Sequence, residues 1–90
     1  MPKLRYKPEI VTPELYKLTT EIADELADEM KQLYGNTMMV KEISEYLRCG
    51  KDYANQFIHG LTFVPIGKSK RFRTLDVARK LANIRTRNIA

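Results

Sequence analysis

A stretch in the middle of the chain brings amide, charged and aromatic side chains onto one face of a predicted helix. Ala54, Phe57 and Ile58 recur at helical spacing, which indicates that their side of the helix is buried. The residues left pointing outward are Lys51, Asp52, Tyr53, Asn55, Gln56 and His59. Asparagine and glutamine amides present paired donor and acceptor groups that match adenine in the DNA major groove. The pattern predicts a surface that contacts base edges, with a solvated polar face as the alternative.

A basic hairpin follows this helix. Phe63, Val64 and Ile66 predict a short strand, and residues 67–70 predict a turn. In the return strand, alternation places Phe72 inward. The residues expected to contact an anion are Lys68, Ser69, Lys70, Arg71 and Arg73. Cations this close repel one another, so a phosphate backbone is the partner that this hairpin favours.

Two further helices are predicted on either side of these elements. Val40, Ile43 and Leu47 form one apolar stripe, and Gly50 is expected to allow a sharp turn into the outward-facing helix. Thr74 is expected to cap the last helix. The apolar residues of that helix are Val77, Ala78, Leu81 and Ala82. The residues expected to add contacts to a nucleic-acid backbone are Lys41, Arg79 and Lys80.

A long amphipathic helix is predicted over residues 12–35, before these elements. Thr12 is a suitable cap, and Pro13 fits the first helical position. The apolar stripe comprises Leu15, Leu18, Ile22, Leu26, Met30 and Leu33, widened by Ala23, Ala27 and Tyr34. The opposite face is acidic. Two alternatives remain for the stripe: it packs on the basic part of the same chain, or it pairs with a second copy in a homodimer.

Charge is distributed unevenly along the chain, whose net charge is +5 over 90 residues. Residues 12–35 hold six carboxylates against two lysines, whereas residues 36–90 hold eleven Lys or Arg residues against four acidic ones. The N-terminal arm at residues 1–11 is also basic. A polyanion is therefore the expected partner of the second part of the chain.

Several function classes are disfavoured. His59 and Cys49 are the single histidine and the single cysteine, too few for a metal cluster or a Cys–His catalytic pair. The carboxylates lie mostly along one helix face, and the glycines form no phosphate-binding loop. We therefore expect no enzymatic activity, no cofactor and no metal site. The longest apolar run is Met38–Val40, so no membrane span is expected and a cytoplasmic location is the simplest reading.

Residues 38–81 resemble the excisionase-type winged helix-turn-helix family, which is related to the MerR DNA-binding domain. The matching features are Val40-Lys41-Glu42, Tyr46-Leu47, Phe57-Ile58, Gly60, Val64-Pro65-Ile66-Gly67, the basic turn, Phe72 and Thr74. The chain departs from the family pattern at Met39 and Gly50, where a hydroxyl cap is usual, and at Asp52. The resemblance implies a mainly α fold with a small β-hairpin. The winged helix-turn-helix would occupy residues 37–83, between the long helix and a basic tail at 84–90.

By this resemblance, we expect a sequence-specific protein that binds double-stranded DNA and belongs to a phage or mobile element. Such proteins act as excisionases, which bend DNA beside an integrase and so set the direction of recombination. One alternative is a small dimeric transcriptional repressor, and another is a protein-interaction adaptor that uses the acidic helix. The expected protein partners are an integrase or another DNA-bound protein, and a second copy through residues 12–35. The expected location is the cytoplasm of a bacterium or of a phage-infected host.

Overall fold

The computed structural model describes residues 13–88, which contain four helices and a small antiparallel sheet. In chain order the elements are α1 (Pro13–Tyr34), β1 (Thr37–Met38), α2 (Val40–Leu47), α3 (Lys51–Phe57), β2 (Phe63–Ile66), β3 (Ser69–Arg73) and α4 (Thr74–Arg87). The prediction of a mainly helical chain with a small β component is confirmed. The predicted arm at 1–11 and the predicted cap Thr12 lie outside the described residues. None of the described helices combines the length and the hydropathy that crossing a membrane requires.

The central strand of the sheet is β3. β2 and β3 form the predicted hairpin, in which Val64 lies opposite Arg71 and Phe63 lies opposite Phe72. β1 pairs with the other edge of β3 and places Met38 opposite Phe72. A strand of two residues has no alternation to detect, so the sequence pattern contains no sign of β1.

One apolar cluster joins the elements. Its large, nearly inaccessible side chains are Met30 of α1, Met38 of β1, Ile43 of α2, Phe57 of α3, Phe72 of β3 and Val77 of α4. Burial of one side chain of this size contributes about 1.5–3 kcal/mol. That is a large fraction of the total stability of a small domain.

The long helix α1 packs within its own chain, mainly along α4. Its buried residues are Ala23, Ala27 and Met30. All three belong to the predicted apolar face, but that face is centred on the alanines, because Leu18 and Leu33 are 40% and 61% exposed. Small side chains let the two backbones approach closely, and α4 contributes the buried Ala78 and Ala82. Leu26 packs against the core, whereas Leu18 and Leu33 are left along the edge of this contact.

A side-chain hydrogen bond links α1 to α2. The Tyr46 hydroxyl donates to the Glu29 carboxylate. The Tyr46 ring also lies edge-on to Tyr34, with the ring centroids 6.4 Å apart. Desolvation by burial, followed by the neighbouring carboxylate, raises the pKa of Tyr46 to about 12. The acidic helix is thus joined to the second half of the chain by polar as well as apolar contacts.

Thr74 is not the predicted cap of the last helix. It is the first residue of α4 and is fully buried, while Arg73 holds the cap position without a side-chain hydrogen bond. The Thr74 hydroxyl donates to the Gly35 carbonyl (2.7 Å), and its amide donates to the Asn36 carbonyl (2.9 Å). These bonds join the start of α4 to the turn after α1. The helix then continues through Arg87, into the segment predicted as a tail.

Replacement of Thr74 by valine, which has nearly the same shape, tests this join. We expect Thr74→Val to lower the free energy of unfolding by about 1–3 kcal/mol, because the Gly35 carbonyl loses its partner. Urea titration followed by circular dichroism measures the change. Thr62→Val, at an exposed position, is the control and should alter stability by less than about 0.5 kcal/mol. Equal stability of Thr74→Val and the natural chain would show that the hydrogen bond from Thr74 to Gly35 does not stabilise the fold.

The raised pKa of Tyr46 predicts a loss of stability at alkaline pH. Because the folded pKa of about 12 lies above the ordinary value of 10.0, the protonated phenol favours the folded state. Its contribution is complete below pH 10 and is lost as the pH rises through about 12. Urea titrations at stepped pH should therefore show a smaller alkaline decline for Tyr46→Phe than for the natural chain. Identical declines would show that Tyr46 is not coupled to folding.

Candidate nucleic-acid interface

The polar face predicted for α3 is exposed. Ala54 and Phe57 are buried and hold one side of the helix in the core. The exposed residues are Lys51, Asp52, Tyr53, Asn55, Gln56 and His59. With about 3.6 residues per turn, Asn55 and Gln56 project away from the buried side. All the predicted base-contacting residues are therefore accessible to a partner.

The joint between α2 and α3 comprises residues 48–50, but its left-handed residue is Arg48 and not Gly50, where the sharp turn was expected. Arg48 has a left-handed backbone (φ 53°, ψ 46°). Gly50 is extended (φ −75°, ψ 167°), a conformation that any residue adopts. The Ser44 hydroxyl donates to the Cys49 carbonyl (2.8 Å), which closes the joint from the side of α2. A three-residue connection therefore sets the direction of α3.

The β2–β3 hairpin is cationic along β3 and apolar along β2. Phe72 is buried, as predicted. The exposed residues among the predicted anion contacts are Lys68, Ser69, Lys70 and Arg73. The Lys70 ammonium lies 4.9 Å from the centroid of the Phe63 ring. Sequence reasoning missed the exposure of Val64 and Ile66 (58% and 56%), although Pro65 between them is a signal of an edge strand.

Arg71 differs from the other predicted anion contacts. It is half-buried, and its buried Nε has no hydrogen-bond partner among residues 13–88. Its neighbour across the hairpin is Val64. A change at Arg71 therefore alters packing as well as charge. Lys68, in the exposed turn, is the better probe of the charge at the hairpin tip.

The three residues predicted to contact a nucleic-acid backbone have different surroundings. Lys41 of α2 and Arg79 of α4 are exposed. Lys80 is half-buried, and its ammonium donates to the carbonyl of Phe57, the last residue of α3, and to that of His59, which follows the helix. Desolvation by burial lowers the pKa of Lys80. Arg79, Lys80 and His59 line one shallow cleft, so the structure brings predicted site residues of α4 next to one that follows α3.

The exposed face of α3 and the hairpin are near each other in the chain and share one core. Residues 58–62 connect Phe57, the last residue of α3, to Phe63, the first of β2. A chain of this length spans at most about 22 Å. Phe57 and Phe72 also belong to the same buried cluster. The end of α3 and the start of β2 therefore lie near each other, and α3 and the hairpin are anchored in one core.

Comparison with known proteins yields no match. No family model, no curated protein and no solved structure is significantly similar to the chain. Within the described part of the chain, no group of His, Cys, Asp and Glu residues is arranged to hold a metal ion. The resemblance to the excisionase-type family stays a prediction.

Because the backbone of Arg48 is left-handed, we expect two substitutions that remove its charge to differ in their effect on stability. Glycine adopts a φ near 53° freely, whereas alanine keeps the Cβ that makes this conformation unfavourable. We expect Arg48→Gly to be more stable than Arg48→Ala by about 1 kcal/mol. Urea titration of both variants measures the difference. Equal stabilities would show that the joint does not require a left-handed residue.

Proposed function

We propose that the protein binds double-stranded DNA sequence-specifically, as a winged helix-turn-helix. In this proposal α3 enters the major groove, α2 is the preceding helix, and the β2–β3 hairpin is the wing. The observation that carries the proposal is the exposure of the whole polar face of α3 while Ala54 and Phe57 anchor the helix. Asn55 and Gln56 would contact base edges, and Lys51 would contact a phosphate or a guanine edge.

The distribution of exposed charge supports a nucleic-acid partner. Lys68, Lys70 and Arg73 are exposed on the hairpin, and Lys41 and Arg79 are exposed on the adjoining helices. These cations would neutralise phosphates and hold the protein in register on the duplex. Because each neutralised phosphate releases counterions, the affinity for DNA should fall steeply with salt.

Within this function we propose an excisionase-like accessory role in a phage or mobile element, in which bound DNA is bent beside an integrase. A small dimeric repressor is the second candidate, favoured by the exposure of Leu18 and Leu33 on α1 (40% and 61%). In a homodimer, these side chains would lie between the two copies. Tandem direct repeats beside a recombination site would support the accessory role, whereas one inverted repeat bound by two chains would support the repressor.

Selection of bound sites from a random pool of duplexes tests the proposal, with the mass of the complex measured alongside. We expect an enriched sequence motif and a log–log salt slope of about −0.9 per neutralised phosphate. Absence of both enrichment and salt dependence would overturn it. That result would favour an adaptor that binds another protein through the exposed carboxylates of α1.

Gln56→Ala and Lys68→Ala should separate contacts with bases from contacts with phosphates. Both residues are exposed, so neither change disturbs the core. We expect Gln56→Ala to weaken binding to the selected site by about 1–3 kcal/mol and to leave binding to random DNA nearly unchanged. Lys68→Ala should weaken both alike and reduce the salt slope by about 0.9. Fluorescence anisotropy titrations measure these affinities, and equal losses on both DNAs for both variants would contradict the assignment.

A further inference from the structure

A lysine of α4 contacts the C-terminal end of α3, beside the core that Phe57 shares with Val77 and Ala78. The Lys80 ammonium donates to the Phe57 carbonyl and to the His59 carbonyl, the latter at 2.7 Å. The same nitrogen lies 5.2 Å from the centroid of the Phe57 ring. Lys80 therefore contacts main-chain and aromatic groups at the point where α3 ends.

Backbone amides donate to the Ala54, Gln56 and Ile58 carbonyls at this end of α3, and Lys80 supplies the hydrogen bonds to the Phe57 and His59 carbonyls. A helix leaves its last four carbonyls without helical partners, and the negative end of the helix dipole lies there. α3 has seven residues and no basic residue in its last turn. Its C-cap residue, Ile58, is right-handed, and the left-handed backbone that ends many helices comes two residues later, at Gly60. The compensating charge is supplied from α4 by Lys80.

We propose that Lys80 is a positioning residue, which ties the end of α3 to α4 and so sets the direction of the exposed face of α3. This positioning role replaces the contact with the phosphate backbone that the sequence predicts for Lys80. The effect of Lys80 on sequence selectivity rests on the proposed DNA-binding function. Its effect on the order of α3 is independent of that function.

Lys80 can hold α3 in place because α4 is itself held in the core. Val77, Ala78 and Ala82, on either side of Lys80 along α4, are almost completely buried. The lowered pKa of Lys80, caused by desolvation, agrees with an ammonium that is partly withdrawn from water. The Phe57 and His59 carbonyls take two of the three ammonium donors, so at most one donor of Lys80 is left for a phosphate.

Arg79 provides a matched control. It precedes Lys80 on the same helix, carries the same charge, is exposed, and lines the same cleft. The experiment compares Lys80→Met with Arg79→Met in the full chain. The first readout is hydrogen exchange of the Ile58, His59 and Leu61 amides, which donate to carbonyls at the end of α3. The second is the salt slope and selectivity of DNA binding, measured with the selected duplex and with random DNA.

For Lys80→Met we expect exchange at these amides to be about tenfold faster, while amides in the middle of α1 are unchanged. The preference for the selected duplex over random DNA should fall by about tenfold with no change in salt slope. For Arg79→Met we expect unchanged exchange and a salt slope reduced by about 0.9. Lys80→Arg keeps a positive charge and several donors, and it should recover most of the protection from exchange.

Equal reductions of the salt slope in both methionine variants, with unchanged exchange, would overturn the proposal and identify Lys80 as a phosphate contact. If Lys80→Met does not fold, Lys80→Gln takes its place, because glutamine keeps a donor without the charge. The same two readouts then distinguish a positioning residue from a phosphate contact. Faster exchange in a chain that selects no DNA sequence would support the positioning role and refute the proposed function. The failure of one proposal is therefore distinguishable from the failure of the other.

Discussion

The structure depends on one shared apolar cluster, to which all the described elements except β2 contribute a buried side chain. Phe72 lies near its centre, opposite both Met38 and Phe63 in the sheet. Its burial determines which residues of β3 face outward, as the burial of Ala54 and Phe57 does for α3. The same contacts that stabilise the fold therefore also decide which polar groups are left for a partner. A chain of 90 residues has no second core to take over this role.

Much of the fold follows from local patterns in the sequence. Pro13 and Gly35 mark the two ends of α1, and period-two alternation correctly buries Phe72. The rotation of α1 follows only in part. The predicted apolar face includes the buried Ala23, Ala27 and Met30, but the leucine pattern does not indicate that the alanines form its centre and allow α4 to approach closely. Close approach depends on the partner helix, and the sequence of α1 alone does not contain it.

The exposed residues of the candidate site, such as Asn55 and Gln56, were predictable because their exposure follows from helical periodicity. Contacts between residues that are distant in the sequence were not predictable. Thr74 reaches Gly35, and Lys80 reaches the end of α3, across separations of 39 and 21–23 residues. At Met39, where the family pattern has a hydroxyl cap, half of a capping box is still present. The Met39 amide donates to the Glu42 carboxylate (2.8 Å), while no side chain at the cap position accepts from the first-turn amides of α2.

Because β2 lies outside the core, the residues that stabilise the fold differ from those that the hairpin tip exposes to a partner. None of its four residues is buried, and the adjoining turn at Gly67 and Lys68 is exposed as well. Substitutions here remove little from the apolar cluster, so the stability of the chain sets few limits on which side chains the tip carries. Natural variation can then accumulate at β2 and the turn faster than at buried positions such as Phe57 and Phe72. This edge of the hairpin can therefore adapt to a new binding partner with little cost to the fold.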